Sequence, residues 1–173
     1  PFFPAGFYYK TFMWPASFWE KYEFFILHSA GLGKSPTSSD PDIYDHRNIH
    51  CDVLVVGAGI SGILAAKNAA KNNFKTLLVE EKNELGGSTI YENNEFNKID
   101  NKAPSEWLKK EIEELKGIKN LEIKTRTSVA AYHQYNYLLA RENLTDHLEA
   151  KDKTNKIRQR LLKIRAKKVI LAT

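Results

Sequence analysis

Between residues 50 and 80 the hydrophobic pattern changes its period twice. Asp52-Val53-Leu54-Val55-Val56 is an unbroken, β-branched apolar run closed by Gly57, which reads as a short strand buried on both faces. From Ile60 to Asn72 the apolar positions recur at helical spacing. Ile60, Ile63, Leu64 and Ala70 supply an inward stripe, with Lys67, Asn68 and Lys71 turned outward. Lys75-Thr76-Leu77-Leu78-Val79 is a second buried strand. Strand, helix and strand in so short a stretch make a βαβ unit, which requires a parallel pair.

Downstream, Pro104-Ser105-Glu106-Trp107 predicts a second helix, capped by Ser105, facing inward through Trp107, Leu108, Ile112 and Leu115 and ending at Gly117. Leu121–Lys124 is a third strand. Ser128–Tyr132, Tyr135–Arg141 and Arg160–Ile164 read as short antiparallel strands, and Lys168–Thr173 as a return to the buried parallel sheet. The expected class is α/β, a Rossmann-like parallel sheet with an inserted antiparallel β-meander.

Upstream of this pattern no period runs cleanly. The first 25 residues hold 12 of the chain's 20 aromatics, a density expected of a segment lying across a protein surface. Gly31 to Arg47, rich in glycine, proline and short hydroxyl side chains, reads as a linker. The expected division is therefore residues 1–49, an aromatic-rich extended segment and linker, and residues 50–173, a dinucleotide-binding domain truncated at its C-terminal end. The chain opens on Pro1 and stops at Thr173 directly after Val169-Ile170-Leu171-Ala172, which suggests a piece of a longer protein. One cysteine, Cys51, excludes an internal disulfide framework. Charges interrupt the apolar N-terminal stretch before a membrane span accumulates, so a cytoplasmic location without a membrane partner is expected.

Gly57-Ala58-Gly59-Ile60-Ser61-Gly62 is a G-x-G-x-x-G sequence set between the first strand and its helix. Gly57 permits the tight turn, Gly59 lacks the Cβ that would meet a pyrophosphate, and Gly62 lets the helix pack closely on the strand. Unpaired N–H groups at the helix N-terminus then face the phosphates. Glu80 closes the second strand, where a carboxylate accepts hydrogen bonds from ribose hydroxyls and repels a 2′-phosphate. Glu81 is adjacent and shares that candidacy. Gly86-Gly87-Ser88 follows, a pair of glycines able to approach the pyrophosphate from the other side, with a hydroxyl donor after them. The pattern favours NAD or FAD over NADP.

Other signals weigh less. His46 and His50 are four apart, but they have no second ligand pair and point to no metal site. Cys51 opens a strand and reads as a small buried residue. Lys151–Lys168 carries nine basic residues and one acidic residue, yet lacks the interleaved aromatics of a nucleic-acid surface, so no nucleic-acid partner is expected.

Beyond these motifs the chain resembles the α subunits of heterotetrameric sarcosine oxidases. The resemblance rests on Met13-Trp14-Pro15, Trp19–Glu23, Ala30–Gly33, the Cys51–Gly57 strand, Glu80-Glu81 through Ser88, Arg126–Val129, Tyr132 and the Ile164–Thr173 strand. It implies an oxidoreductase acting on CH–NH donors: oxidative demethylation of sarcosine to glycine, with hydrogen peroxide formed and the one-carbon unit passed to tetrahydrofolate. It also implies NAD at this site, FAD in the β subunit and FMN at the boundary between the two, with FAD at this site as the alternative. Gly57, Gly59, Gly62, Glu80, Gly87 and Ser88 would then contact the NAD, Val129 and Ala172 would line the adenosine side, and Thr173 is a further cofactor-binding candidate. The folate-binding half would lie beyond Thr173, a small domain would precede Pro1, and no catalytic residue would fall in this stretch.

Overall fold

Strand β1, Ile43–Val56, is the axis on which the other elements assemble, and it is 14 residues long. The computed structural model describes residues 15–31, 37–91, 98–149, 152 and 155–173. Its contacts divide the chain into two units, one ending at Pro41 and one running from Asp42 to Thr173. In the second unit β1 leads into helix α2 (Ile60–Lys71), β2 (Thr76–Val79), a 3-10 turn (Gly87–Tyr91), helix α3 (Pro104–Lys116), β3 (Leu121–Lys124), β4 (Thr127–His133), β5 (Tyr137–Asn143) and β6 (Ile157–Leu171). In the first unit helix α1, Trp19–Ser29, has no buried residue, and Phe24 and Phe25 are exposed. No helix was expected there. Residues 1–14, with the rest of the aromatic segment, and residues 32–36 of the expected linker lie outside the described residues.

The six strands form one sheet in the order β3-β2-β1-β6-β5-β4. β1 pairs in parallel with β2 and with β6, β2 pairs in parallel with β3, and β6-β5-β4 is antiparallel. Its two edges, β3 and β4, are joined by only Thr125 and Arg126. Laid flat, six strands would put those edges about 24 Å apart, whereas three Cα steps reach at most about 11 Å. The sheet must therefore roll. Inside the roll lie Cys51, Leu54, Leu77, Leu138, Leu162 and Ile164, among others. On the outer face Val53, Val55 and Leu78 meet Ile63 and Ala66 of α2 and Trp107, Leu108 and Leu115 of α3.

Several expectations change. β1 begins at Ile43, not near Cys51, because its first half is held by polar partners rather than apolar ones: Arg160 donates to Asp45 at 2.7 Å, which keeps the Asp45 carboxyl below its ordinary value. The strands expected at Arg160–Ile164 and Lys168–Thr173 are one continuous strand, antiparallel to β5 along its first half and parallel to β1 along its length. Ile170 and Leu171, expected to be buried, are exposed. Leu64 is exposed too, and its place in the stripe goes to Ala66. Lys67 turns inward, 2.5 Å from Glu111 and 2.8 Å from Glu114. Ser105 lies inside the first turn of α3; Ala103 holds the cap position, without a side-chain cap, and Pro104 follows it.

Three of the six basic side chains of β6 meet carboxylates. Arg158 pairs with Asp42 and Asp146, Arg160 with Asp45 and Glu142, and Lys167 with Asp52. Glu142 on β5 also accepts from Lys124 on β3 at 2.9 Å, so this buried carboxylate ties edge strand β3 to β5 across the closure of the roll. Glu142→Ala leaves two largely buried cations short of a partner and should lower the unfolding free energy by about 3 kcal/mol. Urea unfolding measures it; a loss under about 0.5 kcal/mol would mean that solvent already screens the pairs.

Candidate functional site

The carboxyl ends of β1, β2 and β6 open into a cleft of about 400 Å³. It lies where β1 has neighbours reached in opposite directions along the sheet, the switch point at which open α/β sheets bind ligands. It is lined by Val56-Gly57-Ala58-Gly59 after β1, Val79-Glu80-Glu81 after β2, Gly87 and Ser88, Thr127-Ser128-Val129 of β4, and Ala172 and Thr173 after β6.

The turn after β1 is possible only because two positions, Gly57 and Gly62, lack side chains. Gly57 has φ +96°, and a Cβ there would stand 2.5 Å from the Ala172 carbonyl oxygen. A Cβ on Gly62, in the first turn of α2, would fall 1.9 Å from the Gly57 carbonyl oxygen. The helix thus starts directly against the strand end. Gly59 differs: its φ is −69° and nothing lies within 4 Å of where its Cβ would be. That open space, beside the unpaired first-turn amides of α2, is where a phosphate fits. Gly87 packs against Gly59, its virtual Cβ 3.1 Å from the Gly59 Cα, so the second glycine pair narrows the cleft from the far side.

Hydrogen bonds fix the turn from every direction. Gly57 N–H donates to Val79 O at 2.8 Å and Gly86 N–H to Ala58 O at 2.7 Å. Ala58 N–H donates to Glu80 Oε2 at 2.6 Å, and Lys82 N–H to Glu80 Oε1 at 2.9 Å. Glu80 is buried while Glu81 is exposed, so of the two carboxylates Glu80 is built into the site.

The structure brings ten of the fourteen sequence candidates to the cleft wall: Gly57, Ala58, Gly59, Glu80, Glu81, Gly87, Ser88, Val129, Ala172 and Thr173. Ile60, Ser61, Gly62 and Gly86 do not line it. Gly62 and Gly86 act from behind by permitting close packing, and Ile60 and Ser61 begin the helix. Sequence reasoning missed Val56, Val79, Thr127 and Ser128. Thr127 and Ser128 precede Val129 in the same strand, and the two valines end the strands that carry the motif. Cys51 sits inside the roll, where burial pushes its thiol up to about 11; it is neutral at ordinary pH and distant from the cleft residues in the sheet. Among the described residues no three His, Cys, Asp or Glu side chains gather into a metal-binding group, and no helix is long and apolar enough to cross a membrane.

A family model described as FAD dependent oxidoreductase matches residues 52–164. The chain belongs to that family. The match covers the glycine turn, Glu80 and the meander. The family is described by FAD, so it lends no support to the NAD expected above. Sarcosine oxidase subunit alpha of Rhizobium meliloti (strain 1021) is 39% identical over 174 residues, covering 100% of this chain and 17% of the relative. The same subunit of Corynebacterium sp. (strain U-96) is 38% identical over 144 residues, covering 83% and 15%. The chain thus spans roughly a sixth of the length of these relatives. Among solved structures, L-proline dehydrogenase from P. horikoshii superposes with a TM-score of 0.57 at 23% identity, covering 81% of this chain and 25% of that one. That likeness speaks to the fold.

The glycines separate two kinds of requirement. Gly62→Ala forces a Cβ into backbone and should cost the fold about 3 kcal/mol or more by overpacking. Gly59→Val enters open space and should leave the melting temperature of the nucleotide-free protein within about 2 °C, while weakening nucleotide binding at least about tenfold. Thermal melts with and without FAD or NAD read both effects. A Gly59→Val protein that holds nucleotide like the parent would remove the pyrophosphate from this turn.

Proposed function

We propose that the cleft holds the ADP half of a dinucleotide. Its pyrophosphate lies over Gly59 and the first turn of α2, its ribose hydroxyls on Glu80, and its adenosine side against Val129 and Ala172. The observation that carries this reading is the open space above Gly59, in a turn whose other two glycines are closed off by backbone. The site fits the group the family is described by: free helix-terminal donors for phosphate, a buried carboxylate for a diol, and no Lys or Arg among the described residues that line the cleft to welcome a 2′-phosphate. When bound, FAD supplies the redox chemistry through its flavin. The residues of this chain bind and orient it, and none of the cleft residues named here acts as an acid, base or nucleophile on a substrate.

At the level of the whole protein, we propose the dinucleotide-binding part of a multisubunit, sarcosine oxidase-like enzyme. Such an enzyme oxidises the CH–NH bond of sarcosine, forms glycine and hydrogen peroxide, and passes the one-carbon unit to tetrahydrofolate with a β subunit as partner. Identity of 39% across the full length of the chain supports this reading. The family described by FAD favours a second reading in which FAD, rather than NAD, occupies this cleft; both cofactors share the ADP half that the cleft residues address.

Denaturing the purified protein and weighing the released nucleotide tests the site: FAD or NAD is the expected mass, and neither would reject the reading. Sarcosine-dependent hydrogen peroxide formation by the assembly that contains this polypeptide tests the enzyme. Turnover of a different amine, with none of sarcosine, would point to another branch of the family.

A further inference from the structure

We propose that Glu80 is the internal clamp of the glycine turn, holding it in binding shape before any nucleotide arrives and keeping that hold when ribose hydroxyls dock on the same carboxylate. The second half rests on the dinucleotide reading; the first stands on hydrogen bonds within the protein. Each carboxylate oxygen already accepts one main-chain N–H, Ala58 at 2.6 Å on Oε2 and Lys82 at 2.9 Å on Oε1. A carboxylate has about four lone-pair sites, so one remains on each oxygen, which matches a diol. The Ala58 peptide is held on its other side as well, since its carbonyl accepts Gly86 N–H at 2.7 Å. The main chain of Glu80 is bound in turn: its N–H donates to Lys124 O and its carbonyl accepts Thr127 N–H, both at 2.8 Å. Glu80 therefore fastens the glycine turn to the ends of β2 and β3 and to the start of β4.

Two comparisons within the molecule sharpen the assignment. Glu81, next in sequence, is exposed and makes no side-chain hydrogen bond among the described residues. Gly59 N–H, one residue beyond Ala58, has no acceptor among the described residues, so the amide left for the ligand and the amide taken by the clamp are neighbours. Glutamine at position 80 would not be a conservative change, because its NH₂ group must face either Ala58 N–H or Lys82 N–H, donor against donor.

Amide exchange followed by NMR in the nucleotide-free protein tests the clamp without any variant. Ala58 and Lys82 N–H should exchange at least about tenfold more slowly than Gly59 N–H, as expected for bonded and open amides. In nucleotide-free Glu80→Gln the Ala58 protection should vanish and the thermal midpoint fall by about 4 °C or more. Its FAD and NAD affinities should each drop at least about tenfold, whereas Glu81→Gln, whose carboxylate bonds neither amide, leaves the Ala58 protection and the thermal midpoint where they are. Ala58 exchanging as fast as Gly59 in the parent would overturn the clamp even if Glu80→Gln failed to fold. So would a Glu80→Gln protein with an unchanged midpoint and weakened nucleotide binding, which would make Glu80 a ribose ligand only. Lost protection with undiminished FAD and NAD binding would overturn the ribose half of the proposal, together with the dinucleotide reading beneath it.

Discussion

The parallel ladder between β1 and β6 ends in a contact that admits no side chain, and the site is built on that contact. Ala172 N–H donates to Val56 O at 2.8 Å as the last rung. The next residue of β1, Gly57, turns away with positive φ while its Cα faces the Ala172 carbonyl. Any side chain at that point would push the two strand ends apart. Because they stay together, α2 can start immediately, Gly62 can rest on the Gly57 carbonyl, and the helix begins directly after Gly59 on the cleft wall. The glycines at 57 and 62 thus serve the framework, and the one at 59 leaves open space, where the proposed guest would sit. The same three letters in a motif carry two different physical demands.

Those demands explain what could be read from sequence. The turn was legible because its constraints are local: spacing of glycines, a β-branched run before them, a helical period after them, and a carboxylate at the end of the next strand. Helix α2, helix α3 and strand β3 followed from period alone, apart from the cap at Ala103. The long partners were not legible. The first half of β6 is covered by β5 on one side and β1 on the other, while its second half has only β1 among the described strands. Its pattern therefore changes from alternating to continuous apolar around Arg165–Lys168, and the change imitates a chain break. Ile43–Arg47 was hidden for the opposite reason. Its rungs pair with β6 through main-chain groups while its side chains carry charge, so no apolar period marks it.

Charge also decides how the roll closes. A run of nine basic residues with one acidic residue invites a reading as a polyanion-binding surface, but four of the basic side chains' carboxylate partners, Asp42, Asp45, Asp52 and Glu142, lie on or just before other strands of the same sheet. Distance in sequence concealed the pairing; Arg158 and Asp42 are 116 residues apart. The Thr125–Arg126 link forces the edges of the sheet toward each other, and Glu142 then meets Lys124 and Arg160 where few waters reach. The short link and the buried carboxylate depend on each other: without the link the charges would not converge, and without the pairing the converged charges would oppose the roll.

The same geometry accounts for how far such a site can drift in sequence and still work. Most donors in this cleft are main-chain amides, and a main-chain amide makes no demand on its side chain. What has to be kept is the absence of atoms at Gly57, Gly59 and Gly62 and the presence of one carboxylate at the end of β2, within reach of Ala58. Elsewhere around the cleft, at Val56, Val79, Val129 and Ala172, the requirement is apolar bulk of roughly the right size. A chain with only 23% identity, L-proline dehydrogenase, keeps the fold at a TM-score of 0.57, as expected when the framework is specified by a few backbone clearances rather than by many side-chain contacts. Selection between two dinucleotides that share an ADP half must then act at the other half of the ligand, away from the glycine turn. In the proposed reading the turn is a handle for the shared half, and its shape says nothing about the chemistry performed at the far end.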